Sequence, residues 1–232
     1  YFMKGGTKDD LRRMSNVAVS IVMLFFIGSE VTYNAVDYMK KIDDEVAYST
    51  KKSWNNFIEN GRAVTDQLEE YDDGLYRAEK TFFRCVNDNG AFGLRGISHS
   101  SSVMNTDIIN FIETMGYCMH SYYTRYDGNT ALADSLLGIK YVLNKESDTN
   151  KRLNPTYEPI MQYDYTDENN NAQTIKAYEN PNALSIGYMV DADVTRIDHL
   201  GNDNPFNSQN MLMSVISGNM TFDESGNISG SK

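Results

Sequence analysis

The chain has 232 residues, enough for one large domain or one domain with an appendage. Its formal charge of −11 is uneven: residues 1–16 hold Lys4, Lys8, Arg12 and Arg13 against Asp9 and Asp10, a net of +2, and the rest is strongly acidic. Such a surface repels phosphate backbones, which excludes nucleic acid as a partner, and it does not adhere to anionic lipid headgroups.

Val17 to Gly28 is apolar apart from Ser20, and the pattern continues more weakly through Val31, Tyr33, Ala35 and Val36. As a helix, residues 17–36 span roughly 30 Å, one hydrocarbon thickness. Basic residues precede the segment, and Asp37, Asp43, Asp44 and Glu45 follow it. The positive-inside rule therefore predicts a transmembrane helix with 1–16 as a cytoplasmic flank and the acidic bulk outside. A secretory signal peptide and a buried helix of a soluble protein are the competing readings. The start Tyr1-Phe2-Met3 reads as the edge of a fragment of a longer chain.

Residues 37–72 repeat apolar side chains at three- and four-residue spacing, which predicts a helical stalk, with Asn60-Gly61 as an interruption. The expected extracytoplasmic domain covers 73–222. Within it Leu75–Val86 and Leu94–Ser98 read as strands. Asn105–Met115 reads as an amphipathic helix with Ile108, Ile109, Ile112 and Met115 on one side, capped by Asn105 or Thr106. Thr130–Leu137 suits a short helix ended by Gly138, and Ile139–Leu143 is the clearest buried strand. Further strands are expected at 157–165, 173–179 and 184–190, then a helix over 205–216 capped by Asn204. The tail 223–232 is rich in Gly, Ser and Asn and is expected to be flexible or an interrupted strand. The fold class is α+β: a transmembrane and stalk helix, then a mixed or antiparallel sheet with several helices.

Chemical motifs are sparse. His99, His120 and His199 have no metal-ligand spacing, so no metal is expected. No P-loop, GxSxG or GxGxxG occurs. Cys85 and Cys118, 33 residues apart, fit neither a redox motif nor a zinc cluster. Outside the cytoplasm they form one possible disulfide, with two buried free thiols as the commoner alternative. The densest polar segment runs from Arg95 to Ser102, and small hydroxyls with open backbone amides receive phosphate or sugar. The bland alternative is a serine-rich loop satisfying its own turns. Arg95, Ser98, His99 and Ser101, with Tyr126, Asn129 and Asp134, are the candidate residues of a ligand-facing or structurally tied patch.

Several segments carry a family resemblance: Tyr76-Arg77-Ala78-Glu79-Lys80, Gly96-Ile97-Ser98-His99-Ser100-Ser101, Tyr126-Asp127-Gly128-Asn129-Thr130, Asp134 to Tyr141, Glu179 to Leu184, and Asn204-Pro205-Phe206 with Gln209-Asn210. In order and approximate spacing they resemble the YfhO family of multi-spanning bacterial membrane proteins, and the helix before them resembles that family's last helix before its large outer domain. The resemblance implies a GT-C-type glycosyltransferase that moves sugar from a polyprenyl-phosphate carrier to a cell-envelope polymer such as lipoteichoic acid. It also implies that the catalytic carboxylate lies among helices not in this sequence, so no catalytic residue and no bound cofactor is expected here. Implied partners are membrane lipid, the polymer or glycan, and the remaining transmembrane helices of the same protein, in a multi-pass protein of the bacterial membrane. A non-catalytic carbohydrate-binding, sensor or envelope-assembly scaffold domain is the alternative.

Overall fold

The structure, a computed structural model of the chain, describes residues 8–46, 49–147, 152–197, 200, 204–222 and 228–231. The chain divides into two compact units, Tyr1–Thr50 and Lys51–Lys232.

The first unit contains α1, Lys8–Val46, a helix of 39 residues. It is long and apolar enough to cross a membrane, and its apolar window is wholly exposed rather than packed. The expected span over 17–36 lies inside it, but the helix extends well beyond both ends. Two hydroxyls in the apolar run bond back to the helix: Ser29 donates to the Phe26 carbonyl at 2.9 Å and Thr32 to the Gly28 carbonyl at 2.7 Å. This leaves neither hydroxyl in need of water.

The expected stalk over 37–72 is corrected: it is not one element. Its first part ends α1, and the second unit opens with α2, Lys51–Tyr71. That helix is built into the domain, with Val64 and Leu68 fully buried. Asn60-Gly61 does not interrupt it. Gly61 is needed because α2 meets the Phe92 ring there, where an added Cβ would lie 2.2 Å from Phe92 Cζ.

After α2 come β1 (Arg77–Lys80), α3 (Asp88–Phe92), β2 (His99–Ser100), α4 (Thr106–Thr114), β3 (Cys118–His120) and β4 (Tyr123–Arg125). Then follow α5 (Ala131–Leu136), β5 (Ile139–Lys145), β6 (Glu158–Thr166), β7 (Ala172–Glu179), a 3₁₀ turn at Ala192–Arg196, α6 (Pro205–Ile216), β8 (Met220–Phe222) and β9 (Ile228–Ser231). The main sheet has the order β1-β5-β7-β6. β1 and β5 are parallel and the other pairs antiparallel, so the sheet is mixed. A second sheet, β2-β4-β3, is antiparallel. The α+β class is as expected.

β5 is the central strand and is buried on both faces, which explains its continuous apolar run. Tyr141 and Leu143 join Val64, Leu68, Ala78 and Phe92 in one core cluster. Ile139 and Val142 join Ile112, Met115, Tyr126 and Leu136 in the other. α4 begins as expected, with the Asn105 side chain accepting from the Asp107 and Ile108 amides. Ile108, however, points outward and is exposed.

Three strand expectations fail for local reasons. β1 stops at Lys80 because Asp88 Oδ2 accepts from the Arg84 amide at 2.6 Å and the Cys85 amide at 3.1 Å, which curls the chain into α3. Residues 94–98 make no ladder because the amides of Ile97 and Ser98 are taken by the Glu79 carboxylate. Residues 184–190 are irregular, with a bend at 186–187; the Leu184 amide donates to the Ser135 carbonyl at 3.0 Å. The β3–β4 hairpin was not expected. Of the two readings for the tail, the strand holds where the chain is described: β9 lies within 223–232 and pairs with β8, while 223–227 and 232 lie outside the described residues.

Candidate functional site

The seven candidate residues separate into buried and exposed groups. Ser98, Tyr126 and Asp134 are interior residues. Arg95 and His99 are exposed, and Ser101 and Asn129 lie between. The buried residues form two linked carboxylate networks.

The first network centres on Glu79, which sequence reasoning missed. It sits on β1 with no exposed surface. Its carboxylate accepts from the Ile97 amide, from the Ser98 amide at 2.7 Å, from the Ser98 hydroxyl at 3.0 Å and from Asn89 Nδ2 at 3.1 Å. Gly96 permits this wrap, since a Cβ there would lie 2.2 Å from Glu79 Oε1. Its neighbour Lys80 is equally buried. Lys80 Nζ donates to Asn89 Oδ1 at 2.8 Å, lies 4.0 Å from Asp88 Oδ2 and stands 4.5 Å from the Phe83 ring centre. Burial pushes the Glu79 pKa up despite its hydrogen bonds, and burial pulls Lys80 down despite its two carboxylate neighbours. Adjacent charged residues in a strand ordinarily leave one side in water. A Glu-Lys pair flanked by Ala78 and by Phe82-Phe83 was the available signal that neither does.

The second network centres on Asp134 at the start of α5. Three phenols donate to it: Tyr117 at 2.6 Å, Tyr126 at 2.8 Å and Tyr157 at 2.5 Å, with Asn129 Nδ2 at 3.3 Å. Burial raises its pKa, opposed by these bonds, and the carboxylate pushes the phenols of Tyr117 and Tyr126 further up. Ser98 joins the two networks: its hydroxyl also accepts from the Tyr126 amide at 2.9 Å. Ser98, Tyr126, Asn129 and Asp134 thus lie together, and for the three buried ones the arrangement is that of a structurally tied patch. Their polar atoms are spent on one another.

Arg95 lines a cleft of about 360 Å³ with Glu69, Asp72, Asp73 and Tyr76. Three carboxylates there oppose an anionic ligand. Asp72 is held by Lys140 Nζ at 2.6 Å and the Tyr141 hydroxyl at 2.8 Å, which keep its pKa at about 2. His99 and Ser101 belong to the small sheet. Its hairpin carries an exposed ring cluster: His120 stacks on Tyr123 with centroids 5.7 Å apart, and Tyr122 lies 4.8 Å from His120 and 5.4 Å from Tyr123. The Ser101 amide donates to the Tyr122 carbonyl at 3.0 Å. Of the two readings for the cysteines, the structure has the free thiols: Cys85 and Cys118 are not bonded to each other. Cys85 Sγ donates to Asp88 Oδ1 at 2.9 Å, whereas Cys118 lies on β3 opposite Arg125. No cluster of three His, Cys, Asp or Glu side chains suited to a metal occurs among the described residues. His199 lies outside them.

A family model described as bacterial membrane protein YfhO matches residues 9–229. The chain belongs to the YfhO family. No curated protein and no solved structure matches it. The segments that carried the YfhO resemblance are the ones that build the interior. Tyr76–Lys80 and the Gly96–Ser101 loop make the Glu79 network, and Tyr126–Thr130 with Asp134 makes the second. Asn180 ties the Asp134–Tyr141 segment in place by donating to Ser135 Oγ and the Ile139 carbonyl, both at 3.2 Å. Gln209 bridges Thr130 Oγ1 and the Met115 carbonyl at 2.7 and 2.9 Å. In this YfhO-family domain the buried residues of those segments are junctions of the fold.

Proposed function

We propose that this chain is the extracytoplasmic part, with one membrane span, of a polytopic glycosyltransferase. The whole protein moves a sugar from a polyprenyl-phosphate carrier to a cell-envelope polymer such as lipoteichoic acid. The piece in hand faces the acceptor and does not carry the catalytic carboxylate. Family membership, the exposed apolar α1 and the basic residues before it support a membrane protein with this domain outside. The observation that carries the acceptor-facing role is the hairpin ring cluster. His120, Tyr122 and Tyr123 expose aromatic surface beside Ser101, while the fully buried ionisable groups are consumed by the fold. Aromatic rings with an apolar body and a polar tip suit a partner that is apolar on one face and hydroxylated at its rim. A lipid-linked donor must meet its base at the membrane surface, which places the chemistry among helices outside this sequence.

The test uses the full-length gene in cells. Replacing Tyr122 and Tyr123 together by Ala should lower polymer glycosylation at least fivefold at an unchanged membrane level of the protein. Unchanged glycosylation removes the acceptor-facing role. The gene should also encode roughly ten further hydrophobic spans of bilayer length. A gene with one span and a cytoplasmic signalling domain would replace the transferase reading with that of a sensor.

A further inference from the structure

One spot on this acidic domain gathers cations. Residues 51–232 hold 15 Lys and Arg against 25 Asp and Glu. Yet Arg125 and Arg152 converge on the same oxygen, Asp127 Oδ2, at 3.0 and 3.3 Å. Both guanidinium groups also face the Phe83 ring, at 6.0 and 5.5 Å from its centre. Lys80 lies over that ring too, but its charge is met by Asp88 and Glu79. Among the described residues two guanidinium groups therefore share one carboxylate, which leaves one positive charge over. Arg125 Nε is buried with no hydrogen-bond partner among the described residues, a costly state for a donor. Both side chains keep surface, 34% and 22% exposed.

The strand pattern continues this spot into the ring cluster. Arg125 and Tyr123 are two residues apart on β4, hence on one face of the sheet roughly 7 Å apart. The antiparallel register sets His120 opposite Tyr123 and Cys118 opposite Arg125 on that face. A guanidinium pair thus adjoins an aromatic platform.

We propose that Arg125 and Arg152 bind a phosphate ester whose sugar or glycerol part lies on the Tyr123 and His120 rings. Guanidinium groups match phosphate oxygens in fork geometry, and the Arg125 and Arg152 terminal nitrogens that now share one Asp127 oxygen are the donors offered to it. The sugar half of this assignment rests on the acceptor-facing role proposed above; the phosphate half does not.

The experiment titrates the full chain, in detergent micelles and in phosphatidylcholine nanodiscs, with inorganic phosphate, glucose 1-phosphate, glycerophosphoglycerol and methyl glucoside. The three phosphate probes should saturate, with affinity that weakens as salt is raised. Arg125→Gln and Arg152→Gln should each weaken binding at least tenfold, while Arg125→Lys should lose less. Asp127→Asn should tighten phosphate binding severalfold, a gain that a purely structural ion cluster does not give. Tyr123→Ala should weaken glucose 1-phosphate about threefold and leave inorganic phosphate unchanged. Thermal unfolding of each variant checks that it folds. No saturable phosphate binding by the folded chain, or binding indifferent to both arginines, overturns the site. Normal arginine effects with no Tyr123 effect overturn the sugar half and weigh against the acceptor-facing role, but leave the phosphate site standing. Nanodiscs containing phosphatidylglycerol separate the sources: competition with glycerophosphoglycerol supports the site with lipid headgroups as ligand, and no competition supports it with a soluble or polymer phosphodiester.

Discussion

Replacing Glu79 by Gln should destabilise the domain far more than the loss of one surface charge. Two backbone amides and Asn89 Nδ2 point at Glu79 Oε1, and the Ser98 hydroxyl and Asn89 Nδ2 point at Oε2. An amide has one acceptor oxygen and one NH2. In either orientation its NH2 meets donors, so at least one buried donor loses its partner, at about 1–3 kcal/mol. Lys80 also loses a charged neighbour and keeps Asp88 at 4.0 Å; breaking a buried pair outright costs ~3–5 kcal/mol. Relief of the carboxylate's own desolvation offsets part of this. A net loss of about 2–4 kcal/mol results, a large share of the roughly 5–15 kcal/mol that holds a domain folded. For a domain of this size it lowers Tm by roughly 5–15 °C. Near-UV circular dichroism of the full chain in detergent, with a denaturant titration to check two-state behaviour, measures the shift. Exposed Glu59→Gln is the control, with an expected change within about 0.5 kcal/mol. Equal midpoints for the two variants would refute the idea that Glu79 organises the Gly96–Ser98 loop.

Asp134→Ala should cost about 3–5 kcal/mol because three phenol hydroxyls lose their acceptor together, whereas Asp134→Asn should cost less, since phenols also accept from an NH2; urea midpoints of the two variants compare them. Burial raises the folded pKa of Asp134, so its protonated form favours folding: this stabilisation is fully present below the ordinary carboxylate range and is lost as pH rises through the raised value. Asp72 has the opposite sign. Its folded pKa of about 2 lies below 3.8, so it stabilises above 3.8 and that stabilisation fades as pH falls toward 2. Asp72→Asn should therefore lower Tm at pH 6, with the gap to the unaltered protein closing between pH 4 and 2; a gap that persists at pH 2 refutes the Lys140 pairing as its source. Alkylation of the denatured, unreduced chain should add two labels, one on each cysteine, and native labelling of Cys85 should be slow at pH 7 because, although the residue is exposed, partial desolvation of its thiol and its bond to Asp88 push the thiol pKa up. An intact mass with no label would establish the disulfide instead.

Much of the architecture was legible in local patterns. The apolar run from Val17, the Asn105 and Asn204 caps, the helix ended by Gly138 and the apolar β5 run all rest on interactions within a few residues of one another. Their expectations therefore survived folding. The missed elements depend on partners distant in sequence. The end of β1 is set by the Asp88 side chain, and the straight reading of 94–98 fails because Glu79, eighteen residues back, captures its amides. Gly61 looked like a helix breaker, and only the Phe92 ring against it explains a glycine there.

The candidate site shows the same division. Sequence alone determined that this is a membrane-associated α+β chain with an acidic domain, because hydropathy and charge are sums over residues and need no fold. It also singled out the serine loop and the Tyr126–Asp134 segment as places where polar residues crowd together. Only the tertiary structure decided that Ser98, Tyr126 and Asp134 face inward, since burial depends on what packs above a residue. The same is true of the cations: Phe83, Arg125 and Arg152 are scattered over seventy positions, and nothing local says that two guanidinium groups meet over one ring and one carboxylate.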